Sequence, residues 1–319
     1  MTAVGPVFIG GAPRSGTHAV AYLIGQHRDY LTLPREMMFH CAGRGVPAYL
    51  AGTIDRREFA SHLLGRWWKR KVPWHPEEER GLHQVIPVGD FEASIAAFLT
   101  APADDREGAC RALLHSLFDP LAARAGKQAW VEHSPRNMNP ADELASLLPD
   151  AKFIHVVRDG RDQACSIVRL PFRGDSVADE LALWARDLRL AEAGTRSLSS
   201  EKLLVMQLED LVLFDRERSF ERLVAFLGLD DDIEPVRRFF DAEVTPERAH
   251  IGRSRVELSP DDRDHVDAVY GQLREELLTE GITLVPPKRE PTVSYSGPTP
   301  AHAFDPWSSW RGDASRDNA

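Results

Sequence analysis

The sequence predicts an α/β domain of three layers, with a central parallel sheet, a phosphate-binding loop after the first strand and a mainly helical insertion. Three observations carry this prediction. Short β-branched and aromatic runs alternate with longer stretches of helical periodicity. Two of those runs pass through a tight glycine-containing loop directly into a helix. Residues 45–125, by contrast, hold few strand signals. Short strands joined by helices pair in parallel through crossover connections, which puts helices on both faces of a sheet.

In chain order, Val7-Phe8-Ile9 is the first strand, Gly10 to Thr17 the loop, and Val20, Leu23 and Ile24 the apolar face of the first helix. The stretch 45–125 reads as helices broken by loops at Pro73, Pro76 and Pro102, and is expected to cover the sheet as an insertion or lid. Ala129-Trp130-Val131 is a second strand. Lys152 to Val157 is a third, ending at Arg158-Asp159-Gly160 before the helical residues Ala164, Ile167 and Val168. Val177, Leu181, Trp184, Leu188 and Ala191 step along one helical face, and Leu203 to Met206 form the last strand. Ser219 precedes a helix that Gly228 stops, and Ser259-Pro260-Asp261 opens the final one. The domain is expected to fill residues 1–285. Residues 286–319, rich in proline, serine and glycine around Phe304, Trp307 and Trp310, are expected to be a surface arm or a disordered tail.

Composition narrows the function classes. With 319 residues, 43% hydrophobic and 28% charged, the chain has ample material for a core. A net charge of -10 argues against a nucleic acid partner. No apolar run approaches the roughly 18 residues of a membrane span, and residues 1–6 lack signal-peptide character, so a cytoplasmic protein is expected. Cys41, Cys110 and Cys165 are scattered without metal-type spacing and read as ordinary thiols. The sequence leaves the oligomeric state open.

Gly11-x-x-x-x-Gly16 has the glycine spacing of a nucleotide-binding loop, where backbone N–H groups and a helix N-terminus converge on an anion. Thr17 and His18 stand where a triphosphatase needs lysine and a magnesium-binding hydroxyl, which disfavours the rival reading of a kinase or nucleotide hydrolase. Arg14 supplies charge inside the loop instead. Arg158 at the third strand's end and Ser166, eight residues on, form a second cationic site at the same sheet edge.

These motifs resemble the sulfotransferases that use 3′-phosphoadenosine 5′-phosphosulfate (PAPS). Gly11 to Thr17 is similar to their 5′-phosphosulfate loop, and Phe153 to Ser166 to their 3′-phosphate motif. Glu132-His133-Ser134-Pro135 resembles the Glu-Lys-Thr-Pro segment of bacterial and heparan-type members, with His133 in place of lysine. Leu208-Glu209-Asp210-Leu211 and Ile251-Gly252-Arg253 match later segments of the same pattern.

The resemblance implies an enzyme that moves a sulfuryl group to an acceptor hydroxyl, or an amine, and releases adenosine 3′,5′-bisphosphate without a metal. It assigns Arg14, Ser15, Gly16, Thr17 and His18 to the phosphosulfate, and Arg158, Ser166 and Arg253 to the 3′-phosphate. Glu36, within Pro34-Arg35-Glu36-Met37-Met38-Phe39-His40, occupies the place of the heparan-type and tyrosyl base, with Glu132 and His133 as competitors. The acceptor would be of small-molecule or glycan/lipid type. Trp67, Trp68 and Trp74 with Arg66, Lys69, Arg70 and Lys71 form either an acceptor surface or a helix covering the core. A nucleotide-binding protein without turnover is the rival from another class; it would need the loops but no base.

Overall fold

The computed structural model describes residues 4–72, 75–170, 176–229 and 231–289, with side chains throughout except at 72 and 75–78. Among the described residues seven strands are interspersed with helices: β1 (Val7–Gly10), α1 (Thr17–Ile24), β2 (Tyr30–Thr32), α2 (Val46–Leu50), α3 (Arg56–His62), β3 (Arg70–Val72), β4 (His75–Arg80), α4 (Val88–Thr100) and α5 (Arg106–Arg124). The second half adds β5 (Ala129–Glu132), α6 (Ala141–Leu147), β6 (Lys152–Val157), α7 (Gly160–Ile167), α8 (Val177–Thr195), β7 (Leu203–Gln207), α9 (Arg216–Leu227), α10 (Glu234–Glu243), α11 (Pro246–Ala249), α12 (Arg253–Glu257) and α13 (Pro260–Thr279).

Five strands form one parallel sheet in the order β2-β5-β1-β6-β7. β1 sits at its centre and is buried at every residue, as a strand covered on both faces must be. Alternation along β1 separates two cores. Phe8 faces a layer built from the insertion, α6, α8 and α13, where it stacks on Phe153 at 5.5 Å and meets Trp130 edge-on at 5.3 Å. Val7 and Ile9 face the opposite layer, with Val20 and Leu23 of α1, Leu223 of α9 and Phe240 of α10. The three-layer architecture expected from the sequence is therefore present. No helix among the described residues is long and apolar enough to cross a membrane.

The insertion departs from its helical expectation at one place. β3 and β4 pair as an antiparallel hairpin, with Lys71 opposite Glu79 and Lys69 ion-paired to Glu79 at 2.6 Å. Its lysines, arginines and glutamates carry little intrinsic strand preference, and cross-strand charge pairing supplies what periodicity does not. The tryptophans beside it belong to the core cover: Trp67 is buried, and Trp68 stacks on Phe91 at 4.0 Å. Trp74 lies outside the described residues. So do Phe304, Trp307 and Trp310. The chain remains docked as far as Arg289, which pairs with Asp210 at 2.9 Å and covers the Phe214 ring, while Arg274 bonds the Pro286 carbonyl.

Candidate active site

All five parallel strands end at one edge, and the segment following each brings polar residues there. Connections leave β1 toward β2 on one side while β6 and β7 lie on the other, so the crevice at the carboxyl ends of β1, β5 and β6 is where an open α/β sheet binds ligands.

The loop after β1 is pressed against the sheet. Gly11 donates its N–H to the Pro135 carbonyl at 2.9 Å, and a Cβ on Gly11 would lie 2.2 Å from the Val156 carbonyl oxygen, so no side chain fits. Arg14 takes a left-handed φ of 73°, and Gly16 follows at 94°. The turn delivers the chain into α1, whose N-terminus has no side-chain cap. The first-turn N–H groups, which no helix satisfies internally, are thereby left for an anion. Ser15 and Thr17 are buried there, and the Ser15 hydroxyl has no hydrogen-bond partner among the described residues.

Arg14 Nε donates to Ser166 Oγ at 3.1 Å, so α7 and the first loop meet directly. Arg158 donates through Nη1 to the Arg14 carbonyl at 2.8 Å, and through Nη2 to the carbonyls of Ala249 at 2.8 Å and His250 at 3.1 Å. Its Nε is buried without a partner among the described residues. The two cationic sites read separately from the sequence thus form one continuous cradle. Burial, and then the charges of Arg158 and Arg253, hold the Arg14 guanidinium below its usual pKa. The same surroundings push His250 down to about 4, by burial first and then by Arg253, Arg158 and Arg14.

Arg253 starts α12 and is buried. Its loop is fixed by Asp162 of α7, whose carboxylate accepts from Gly252 N at 2.6 Å, Ser254 N at 2.9 Å and Ser254 Oγ at 2.7 Å. Glu209, after β7, accepts from Asp159 N at 2.9 Å, and burial followed by the Asp159 charge pushes its carboxyl up to about 7.

Across the start of α1 lies a second group. His18 Nε2 is 3.2 Å from Glu36 Oε1, with the two side chains 44% and 37% exposed. The His133 ring lies 4.4 Å from His18, centroid to centroid, and is fully buried. Its Nε2 donates to the Leu33 carbonyl at 3.0 Å, and burial, then the His18 charge, push its pKa down to about 4. Of the three candidate bases, Glu36 reaches solvent, whereas Glu132 and His133 do not.

Glu132 holds the segment that carries Glu36. It accepts from Met37 N at 2.9 Å, from Ser134 N at 2.9 Å, from Ser134 Oγ at 2.6 Å and from Asn137 Nδ2 at 2.6 Å. It also pairs with fully buried His40 at 3.1 Å. Burial pushes both groups toward their neutral forms, yet their mutual attraction prevails: Glu132 is held far below the usual carboxylate range and His40 well above the usual imidazole.

His40, Asn137 and Asp162 were not singled out from the sequence. Glu132 and Asp162 carried the one available signal, a carboxylate placed among residues that the fold buries.

A curated relative, Protein-tyrosine sulfotransferase A of Caenorhabditis elegans, is 20% identical over 289 residues, which are 88% of this chain and 65% of that protein. The chain thus spans just under two thirds of that relative's length. Among solved structures, the sulfotransferase domain from the Synechococcus PCC 7002 olefin synthase is similar at 18% identity and a TM-score of 0.47, covering 84% of this chain and 94% of that one. Mouse sulfotransferase SULT7A1, a structure complexed with PAP, is 14% identical with a TM-score of 0.43 and covers 86% and 88%. Residues 6–233, well over half of the chain, match the family described as "Sulfotransferase family", and the chain belongs to that family.

Proposed function

We propose that the protein transfers a sulfuryl group from PAPS to an acceptor hydroxyl or amine and releases adenosine 3′,5′-bisphosphate. The observation that carries this reading is the juxtaposition of an anion cradle with a carboxylate. Arg14, Ser166 and Arg158 form the cradle, and the exposed His18–Glu36 pair stands on the other side of the same helix start. The Ser15 hydroxyl and the Arg158 Nε, both without a partner among the described residues, and helix α1, without a side-chain cap among them, are the features an anionic donor would satisfy.

In this reading Glu36 takes the acceptor proton as the acceptor oxygen forms its bond to sulfur. The bond between sulfur and the 5′-phosphate oxygen breaks at the same time, and Arg14 with the amides of residues 15–18 stabilises the charge that grows on the departing phosphate. Arg158, Ser166 and Arg253 hold the 3′-phosphate, and Glu132 keeps Glu36 in place. The rival kinase reading lacks a lysine and a metal-binding hydroxyl at Thr17 and His18. A binding protein without turnover would have no use for the His18–Glu36 pair.

Thermal melting tests the donor. Adenosine 3′,5′-bisphosphate should raise the melting temperature well beyond AMP or ATP at equal concentration, without magnesium. Equal shifts from all three, or a strict magnesium requirement, would overturn the reading.

A further inference from the structure

We propose that His18, Glu36 and His133 form a binding site for a divalent ion of the zinc type, and that the bound ion switches off the base. One ligand atom from each of the three residues lies within 4.8 Å of those from the other two. His133 supplies the strongest argument. A carbonyl can only accept, so the Leu33 carbonyl fixes the proton on Nε2 and leaves Nδ1 with a free lone pair. Nδ1 is buried and finds no hydrogen-bond donor among the described residues.

An imidazole oriented through its other nitrogen by a backbone carbonyl is the usual arrangement of a metal-bound histidine. Two imidazoles and one carboxylate are a zinc-type donor set, and imidazoles disfavour magnesium and calcium. His18 and Glu36 are exposed on their outer sides, which gives an ion a path in and leaves room for solvent ligands.

Sulfuryl transfer as proposed above needs no metal, and the ion would oppose it. Coordination to a cation lowers the basicity of the Glu36 carboxylate, and with it the tendency to take a proton from the acceptor. The side chains of the cradle, Arg14, Ser166 and Arg158, are not among the three ligands, so the ion and the donor do not compete for the same side chains. The inhibition rests on the proposed function; the ion binding does not.

Calorimetric titration of Zn²⁺ into the metal-stripped full chain, with adenosine 3′,5′-bisphosphate binding measured on the same samples, tests this. One equivalent should bind. His18→Gln and Glu36→Gln, both at half-exposed positions, should each weaken zinc binding about tenfold or more. His133→Gln should do the same provided its melting temperature is retained. Substituted Co²⁺ should give a visible absorption band that both exposed-site variants alter. His115→Gln, at an exposed His–Asp pair elsewhere, should change nothing. Zinc affinity that survives both His18→Gln and Glu36→Gln, or that is lost in His115→Gln instead, overturns the proposal. Retained bisphosphate binding without zinc binding sinks this inference alone, and the reverse result sinks the donor assignment alone.

Discussion

Two charged clusters flank the start of helix α1, and they are finished to different degrees. Beneath Glu36, the Glu132 carboxylate receives hydrogen bonds from Met37, Ser134 and Asn137 and an ion pair from His40. Around Arg14, two arginines approach each other with no carboxylate bonded to either among the described residues, and the Ser15 hydroxyl and Arg158 Nε stay unpartnered. The Glu132 carboxylate is held by several donors, which rigidifies what it touches although His40 Nδ1 is buried with no partner among the described residues, whereas the unsatisfied buried groups of the second cluster carry a cost that a ligand can remove. The first cluster therefore belongs to the fold. The second is the one that, in the proposed function, a bound anion completes.

The largest expected effect tests the first cluster. Glu132→Ala removes one partner of a buried ion pair and should cost about 3–5 kcal/mol of stability in a urea titration. His40→Ala should cost less, because Glu132 keeps its other donors. A loss below 1 kcal/mol for Glu132→Ala, on the order of a surface change, would show that the network is not what holds the loop.

Glu36 stands on that network without being part of it. Glu36→Gln should leave the fold and bisphosphate affinity intact while turnover falls about 10²-fold or more. His133→Gln should lower turnover less. The opposite ranking, with donor still bound by the inactive His133→Gln protein, would make His133 the base.

Glu209 lies on the unfinished side, with Oε2 lacking a partner among the described residues. Its folded-state pKa of about 7 lies above the ordinary 4.5, so the folded protein holds the proton more tightly than the unfolded chain does between those values. That contribution to stability is fully present below about pH 4.5 and is lost as pH rises through about 7. Melting curves should show this group's share falling by about 3 kcal/mol across that window, and Glu209→Gln should flatten the slope. An unchanged slope in the variant would place the titration elsewhere.

The smallest effect separates the arginines. Arg158→Ala should weaken bisphosphate binding about tenfold with turnover at saturating donor retained, whereas Arg14→Ala should lower turnover as well. If Arg14→Ala changed affinity alone, its role at the leaving phosphate would fail.

Much of the satisfied architecture was legible along the chain. β1, β5, β6 and β7 announce themselves as apolar β-branched runs, and Ser259 and Gly228 mark helix ends by capping chemistry. β2 has only three residues, too few for alternation to register, and the β3–β4 hairpin is charged. The cradle residues Arg14, Arg158 and Ser166 were visible because each lies next to the strand that positions it. His40 was not, because it meets Glu132 only through the neighbouring positions of β2 and β5 in the sheet. Pairings made by topology leave no local trace.

His40 lies just before the insertion and Glu132 just after it. The buried bond between them, together with Met37 N to Glu132, staples the two ends of that excursion to the floor of the crevice. The ends of the inserted segment are thus registered by the parent domain, while its buried side chains, Phe91, Leu114 and Phe118 among them, pack into the same core as Phe8. In the proposed function only its solvent-facing side is open to exchange, which would alter which molecules approach Glu36 while the core face keeps the sheet covered.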